Sequence, residues 1–228
     1  MHETFHIISD GSCDLPQDLV KDKNITVVPF YVSFDDEHYC KENVDIGIRD
    51  FYQMMVEKRG VYPKSSMPSI QDYEEAFLPF AEAETPVICI CITTKFSGSM
   101  QSALNARALI LEKYPQAEIT VIDATINTVL QGQYVLEAAE LRDHGVSYRD
   151  AVARLEEIKS TGRIFFTVGN MEYLKHGGRI GRVAALAGGA LDIRPIITLR
   201  QGEIFPSGID RGRKRTLKKV MNLLLDYL

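Results

Sequence analysis

The sequence contains no tryptophan and only four cysteines among its 228 residues, Cys13, Cys40, Cys89 and Cys91. The cysteines show neither C-x-x-C spacing nor a neighbouring cluster of histidines, so no zinc site and no other metal site is expected. Free thiols are typical of a reducing compartment. We therefore predict a cytoplasmic protein whose cysteines are unpaired.

Long apolar runs and excess positive charge are also missing. No run approaches the roughly 20 apolar residues that a membrane-spanning helix needs, and the start, MHETFHIISD, lacks the basic and apolar regions of a signal peptide. The formal net charge is −5 at pH 7, which argues against a general surface for nucleic acid. We expect no integral membrane segment and no nucleic-acid partner.

Apolar runs alternate with helical patterns through the first two thirds of the chain, which predicts an α/β fold with a doubly wound parallel sheet. Pro29 lacks a backbone donor, so the strand containing it should lie at a sheet edge or carry a bulge. The predicted strands are residues 4–9, 26–34, 87–92 and 119–124, the predicted helices are 16–21, 46–59, 69–83, 100–113, 128–144 and 147–161, and 63–68 is a polar loop.

The pattern changes near residue 162. A strand at 163–168 is followed by a segment rich in Gly and Ala, and then by a predicted hairpin with strands at 193–199 and 203–209 around Gln201-Gly202. The sequence therefore predicts two domains, 1–161 and 162–228.

The strand at 87–92 ends abruptly in hydroxyl groups and a glycine, namely Thr93, Thr94, Ser97, Gly98 and Ser99. Ligands of open α/β sheets lie at such carboxyl ends, and the helix that follows directs free backbone N–H groups at an anionic group. This pattern indicates a binding site for an acid. A helix N-cap is an alternative role for Ser97, and a turn-forming role is the alternative for Ser65, which lies near Pro68.

Arg179, Asp10 and Asp14 are further polar residues with both a functional and a structural interpretation. The functional interpretation of the two aspartates is a pair of metal-binding or acid–base groups. Arg179 could clamp a carboxylate or a phosphate bidentately, or form a structural ion pair with Asp123 or Glu172. Asp10 and Asp14 lack a third ligand at suitable spacing, so we expect turn and cap roles for both.

Together, these segments resemble the DegV family of bacterial fatty-acid-binding proteins. The similarity covers nearly the whole chain in the family's order. The segments that carry it are DGSCDLP (10–16), KSSMPS (64–69), FSGS (96–99), VID (121–123), YLK (173–175), GGRI (177–180), LDIRPI (191–196) and RGRK (211–214).

The resemblance implies a DegV-like two-domain architecture. An N-terminal parallel-sheet α/β/α domain would carry the carboxylate-binding loops, and the second, smaller α/β domain would be shortened at its C-terminus. The family usually continues for several tens of residues beyond the position of Leu228, through a segment whose histidine helps to hold the carboxylate. The sequence contains no counterpart, which makes a truncated relative without ligand one alternative.

The resemblance also implies a function. A long-chain fatty acid such as palmitate would bind non-covalently and be presented to a fatty acid kinase, which makes an acyl phosphate for phospholipid synthesis. Such a protein is a lipid carrier and not an enzyme, so no catalytic residue and no cofactor are expected. The family motifs K-T-S-x-P-S and L-S-G-T map the carboxylate contacts onto Ser65 and Ser97. Further candidates for carboxylate contact are Ser66, Gly98 and Arg179.

An apolar tunnel would hold the acyl chain. Burying a palmitoyl-sized chain contributes on the order of 10 kcal/mol, whereas each hydroxyl–carboxylate hydrogen bond adds about 1.5–3 kcal/mol, so the tail supplies affinity and the hydroxyls set its register. An ordinary core role is the alternative for each tunnel candidate. These candidates are Phe30, Val32, Ile92, Phe96, Leu186 and Leu191.

An enzyme of another class is the competing hypothesis, either an acyl hydrolase or a phosphotransferase for a small substrate. Hydrolysis by an α/β-hydrolase would call for G-x-S-x-G at the strand-to-helix turn, where this sequence has KFSGS. Phosphoryl transfer would call for G-x-x-x-x-G-K-[ST] or G-x-G-x-x-G, and the sequence contains neither motif.

Overall fold

The computed structural model describes residues 4–169, 171–186 and 193–228, and the chain divides into two units, Met1–Thr161 and Gly162–Leu228. In chain order the first unit contains β1 (His6–Asp10), α1 (Gln17–Asp22), β2 (Ile25–Val28), β3 (Tyr31–Ser33), β4 (Cys40–Lys41), α2 (Ile48–Glu57), β5 (Lys64–Ser66), α3 (Ile70–Glu82), β6 (Val87–Cys91), α4 (Ser99–Lys113), β7 (Ile119–Asp123), α5 (Thr128–Asp143) and α6 (Tyr148–Ile158).

A four-stranded parallel sheet in the order β2-β1-β6-β7 forms the centre of the first unit. Every residue of β1 and β6 is buried, as expected for parallel strands covered on both faces. On one face Ile8 and Cys89 share a buried cluster with Tyr73 and Phe77 of α3 and Ala106 of α4. Helix α5 contacts β1 as well, and the predicted α/β class with a parallel sheet is confirmed.

The strand predicted at residues 26–34 is two strands in two sheets, so that prediction was wrong in its extent. β2 ends at Val28 and forms the edge of the parallel sheet, whereas β3 begins at Tyr31 and lies between β4 and β5 in a small antiparallel sheet. Pro29 falls in the break, because its missing N–H cannot continue a ladder. The predicted polar loop at 63–68 contains β5, whose register places Ser65 opposite Val32.

Helices α3 and α4 begin beside the polar segments of interest. Ser69 is the N-cap of α3, as predicted, and forms a capping box with Asp72. The N-cap of α4 is Gly98, and its cap contains no side-chain hydrogen bond. The alternative of Ser97 as the N-cap of α4 is therefore wrong by one residue.

The second unit contains β8 (Ile164–Thr167), α7 (Glu172–His176), a 3₁₀ helix at Gly181–Leu186, β9 (Ile193–Arg200), β10 (Glu203–Arg211) and α8 (Arg213–Tyr227). Its strands form an antiparallel sheet in the order β10-β9-β8. The predicted hairpin around Gln201 and Gly202 is confirmed, and both residues adopt positive φ in the turn. Helix α8 packs against all three strands.

All four cysteines are free thiols, in agreement with the prediction. Within the described ranges, no helix is long and apolar enough to cross a bilayer.

Candidate functional site

Strands β1, β6 and β7 are parallel neighbours, so their carboxyl ends meet at one edge of the sheet. Asp10 ends β1, the segment 92–98 follows β6, and Asp123 ends β7. Thr94 Oγ1 donates a hydrogen bond of 2.6 Å to Asp123 Oδ2, which ties the segment after β6 to the end of β7. This edge is where open α/β sheets bind ligands.

Asp10 is a fully buried carboxylate at this edge. Asp10 and Asp14 are the N-cap and C-cap of the 3₁₀ turn Gly11–Cys13, so the predicted turn and cap positions are confirmed, but the sequence did not predict the burial of Asp10. Asp10 Oδ2 accepts hydrogen bonds from the Ile92 backbone N–H at 2.9 Å and from Ser99 Oγ at 2.7 Å, and its Oδ1 accepts one from Gln131 Nε2 at 2.8 Å. Burial raises the pKa of Asp10, and these hydrogen bonds only partly offset the rise. The carboxylate thereby joins the end of β6, the start of α4 and the body of α5.

Ser99 links Asp10 to the core. Its hydroxyl donates to Asp10 and lies 2.6 Å from Tyr73 Oη, which then serves as the donor to Ser99 Oγ. Both Ser99 and Tyr73 are fully buried, and Tyr73 Oη also lies 3.6 Å from Cys91 Sγ. These two hydrogen bonds fix the position of Ser99, the first residue of α4. The segment that precedes Ser99 is therefore attached to a fixed part of the core.

Ser97 lies in that supported segment. The residue is half-buried, and its Oγ accepts a 3.2 Å hydrogen bond from the Ser99 backbone N–H. Among the described residues, no acceptor is found for the Ser97 hydroxyl hydrogen. The Ser97 hydroxyl therefore retains its hydrogen-bond donor, and it lies beside the N-terminal end of α4, where the helix dipole favours negative charge.

The loop carrying Ser65 contacts the loop carrying Ser97. A side-chain carbon built on Gly98 would lie 2.6 Å from the Met67 sulfur, so the residue two positions after Ser65 packs directly on the residue after Ser97. Ser65 and Ser66 are exposed on β5, and neither hydroxyl has a hydrogen-bond partner in the described part of the chain. The structure brings together two loops from distant parts of the sequence, with donors left for a ligand.

An ion pair between the buried Asp72 and the partly exposed Lys41 holds the end of the Ser65 loop that leads into α3. Asp72 accepts from Lys41 Nζ at 2.7 Å, from Tyr31 Oη at 2.9 Å and from the Ser69 backbone N–H at 2.8 Å. Burial by itself would raise the pKa of Asp72, but the hydrogen bonds from Lys41, Ser69 and Tyr31 outweigh it and lower the pKa to about 2. The loop between β5 and α3 is thereby anchored to β3 and β4.

A cavity of about 340 Å³ lies beside β3, on the side of α1 and α2. Its lining includes Val32, but it does not include Ser65 or Ser97. Its residues are Gly11, Cys13, Asp14, Leu15, Gln17, Val27, Val32, Glu42, Asn43, Ile46, Ile48, Phe51 and Tyr52. This cavity is therefore not the tunnel predicted behind the two serines, and that tunnel stays a prediction.

The other tunnel candidates lie as follows. Ile92 is 9% exposed and donates its N–H to Asp10, whereas Phe30 and Phe96 are half-buried. Leu191 lies outside the described residues, as does the side chain of Leu186.

Arg179 lies in the second unit. Its guanidinium donates a hydrogen bond to the Gly177 carbonyl. Its predicted contact with a carboxylate stays a prediction.

The sequence missed the buried network around Asp10 as well as the cavity. Asp10 ends the apolar run of β1, and a charged residue there is a weak signal by itself, because its partners come from the segment after β6, from α4 and from α5. Among the residues described, no group of three or more His, Cys, Asp or Glu side chains could hold a metal ion.

Comparison with known proteins identifies the class of protein that this fold and edge define. A family model described as the uncharacterised protein, DegV family, matches residues 4–227. The chain belongs to the DegV family.

Individual relatives agree. The chain is 33% identical over 226 residues to a DegV domain-containing protein of Caldanaerobacter subterraneus, covering 99% of this chain and 77% of the relative. A stearic acid-binding protein of Eubacterium ventriosum is 42% identical with a TM-score of 0.94, covering 98% of this chain and 76% of that one. A DegV family protein of Thermus thermophilus, described by its fatty acid binding, is 29% identical with a TM-score of 0.86, covering 98% and 77%.

Proposed function

We propose that this protein binds a long-chain fatty acid non-covalently, with the carboxylate held by Ser97 and Ser65 and the acyl chain in an apolar tunnel. The observation that carries the proposal is the 42% identity and the TM-score of 0.94 with a stearic acid-binding protein. The contact between Met67 and Gly98 supports it, because it brings the two serine loops together within one unit.

The chemistry of the loops suits a carboxylate. The Ser65 and Ser97 hydroxyls retain donors, Ser66 adds a third exposed hydroxyl, and Gly98 leaves the backbone at the start of α4 without a side chain. A carboxylate at this helix end gains from the N-terminal dipole and from charge-assisted hydrogen bonds. Arg179 is a further candidate for the same anion.

We further propose that the protein acts as a carrier in the cytoplasm, without catalysis or cofactor, and presents the fatty acid to a fatty acid kinase that phosphorylates it for phospholipid synthesis. This part rests on the family resemblance of the motifs. It is tested by incubating the palmitate-loaded chain with ATP and a bacterial fatty acid kinase, and by measuring acyl phosphate with and without the chain.

Ser97→Ala tests the site. The variant is titrated with palmitate and with 1-hexadecanol, which has the same chain length but no carboxylate. Loss of one hydrogen bond to a charged group is worth about 1.5–3 kcal/mol, so we expect palmitate affinity to fall about tenfold to a hundredfold. Hexadecanol affinity should change much less, because the tail contacts remain.

Ser102→Ala is the matched control, since Ser102 is a buried serine of the same helix, five residues after Ser97, and the substitution leaves its backbone hydrogen bond to Gly98 in place. It should leave both affinities unchanged. Failure of the unaltered chain to bind palmitate would overturn the proposed function. Equal losses for acid and alcohol in Ser97→Ala would overturn the proposed role of that hydroxyl.

A further inference from the structure

The cavity beside β3 combines two kinds of surface. One part carries the carboxyl groups of Asp14 and Glu42 and the amide of Asn43, and the rest is aliphatic or aromatic. The apolar residues that line it are Leu15, Val27, Val32, Ile46, Ile48, Phe51 and Tyr52. A volume of about 340 Å³ lies within the usual range for small-molecule pockets.

Glu42 is built into this cavity. Its Oε1 accepts a 2.9 Å hydrogen bond from the Phe30 backbone N–H, and its carboxyl group packs on Gly11, where an added side-chain carbon would clash with the same oxygen. The absence of a side chain at Gly11 is what admits the carboxylate. Glu42 is half-buried, and its hydrogen bond with the Phe30 N–H fixes the position of its carboxyl group.

The negative charge of this cavity has no counter-charge within it. The lining contains no Lys, Arg or His, and across the described ranges neither Asp14 nor Glu42 forms an ion pair. Burial raises the pKa of Glu42, and the nearby carboxylates of Asp14 and Asp10 raise it further. A cation in the cavity would relieve this repulsion.

The walls favour an organic cation over a metal ion. The described residues contain no group of three metal-ligating side chains, whereas hard divalent cations take six or more oxygen ligands. The rings of Phe51 and Tyr52 stand edge to face, with centroids 5.6 Å apart, and Tyr52 is 61% exposed at the rim. Aromatic faces attract ammonium groups, and the aliphatic side chains can cover an apolar body.

We propose that this cavity is a second ligand site, which takes a small organic ammonium ion with an apolar body. The ammonium group lies near Glu42 and Asp14, and the body packs on the walls of Val32, Phe51 and Tyr52. The site goes beyond fatty acid binding, since a carboxylate would be repelled by the same two acidic residues.

The probe is 2-phenylethylammonium, compared with 2-phenylethanol and 3-phenylpropanoate, which are similar in size but neutral and anionic. Binding to the full chain is measured by NMR titration. We expect the ammonium ion to bind at least tenfold more tightly than the alcohol, and the carboxylate to bind most weakly.

Two variants test whether the ammonium ion contacts the Glu42 carboxylate and the Tyr52 ring. Glu42→Gln keeps an oxygen for the Phe30 N–H but removes the charge, so ammonium affinity should fall about tenfold while alcohol affinity stays the same. Tyr52→Leu alters an exposed position and should weaken ammonium binding about two- to fivefold. Asp50→Asn on α2 is the control, because Asp50 is an exposed acid outside the lining and should have no effect.

A competition experiment separates this site from the fatty acid site. Saturating palmitate should leave the ammonium affinity unchanged. Displacement by palmitate would show that the cavity holds the acyl chain and would overturn the proposal. Equal affinities for the three probes, no binding of the ammonium ion, or an unchanged affinity in Glu42→Gln would overturn it as well.

Discussion

Replacing Ser99 with alanine should destabilise the first unit by about 3 kcal/mol. The substitution removes a hydrogen bond to the Asp10 carboxylate, worth about 1.5–3 kcal/mol, and leaves the hydroxyl of Tyr73 with only a 3.6 Å contact to Cys91 Sγ. Both Ser99 and Tyr73 are fully buried, so water cannot replace the lost partner without a rearrangement. Asp10 keeps the Ile92 N–H and the Gln131 amide as donors, which limits the cost.

Urea unfolding followed by far-ultraviolet circular dichroism measures the effect, since the sequence contains no tryptophan for a fluorescence signal. The free energy of unfolding falls by about 1–3 kcal/mol for each molar increase in urea. A loss of about 3 kcal/mol in that free energy therefore lowers the urea concentration at the unfolding midpoint by roughly 1–3 M. Ser102→Ala, a buried serine on the same helix, should shift stability by less than about 0.5 kcal/mol.

The double variant of Ser99→Ala with Tyr73→Phe tests the hydrogen bond between the Tyr73 and Ser99 hydroxyls. Tyr73→Phe alone should cost about 1 kcal/mol, and its effect should largely vanish in the Ser99→Ala background, because the hydrogen bond has already been lost. A loss below 1 kcal/mol in Ser99→Ala, or additive effects of the two substitutions, would refute the reasoning about this network.

Two further predictions concern stability. The pKa of Asp72 is about 2, below its usual 3.8, so its ion pair with Lys41 stabilises the fold above about pH 4, and that stability is lost as the pH falls towards 2. Asp72→Asn should be less stable than wild type by about 2 kcal/mol at pH 7 in urea unfolding, and a difference that did not shrink between pH 4 and pH 2 would contradict this. Gly132→Ala should lower the melting temperature despite the better helix propensity of alanine, because its side-chain carbon would lie 2.5 Å from the Cys13 carbonyl oxygen. Gly60→Ala is the comparison, because Gly60 has open surroundings but a φ of +84°, so this substitution introduces backbone strain without a clash. A melting temperature of Gly132→Ala equal to that of the wild type would contradict the predicted clash, because it would show that α5 can shift to admit the side chain.

Local chemistry predicted much of the fold. The buried run at 87–92, the Ser69 cap and the hairpin at Gln201-Gly202 each depend on neighbouring residues, and the structure shows all three. The break at Pro29 was also signalled locally, by the missing backbone donor, but the sequence could not show that β2 and β3 join different sheets. Strand β5 consists of polar, exposed residues, and only its pairing with β3 makes it a strand.

The candidate site was less accessible to sequence reasoning. The hydroxyl-rich ends of the loops could be predicted, since they follow a buried strand and precede helices. The buried role of Asp10 could not be predicted, because the three donors that bind its carboxylate lie 82 to 121 residues away in the sequence. Likewise, the packing of Met67 on Gly98 joins two loops whose separate sequences contain no sign of contact.

A crystal structure of this chain grown with palmitate tests the central claim most directly. The claim predicts an elongated ligand whose carboxylate oxygens lie within hydrogen-bond distance of the Ser97 and Ser65 hydroxyls, with the tail in an apolar channel. A carboxylate bound elsewhere, or a chain that crystallises without ligand from saturating palmitate, would contradict it.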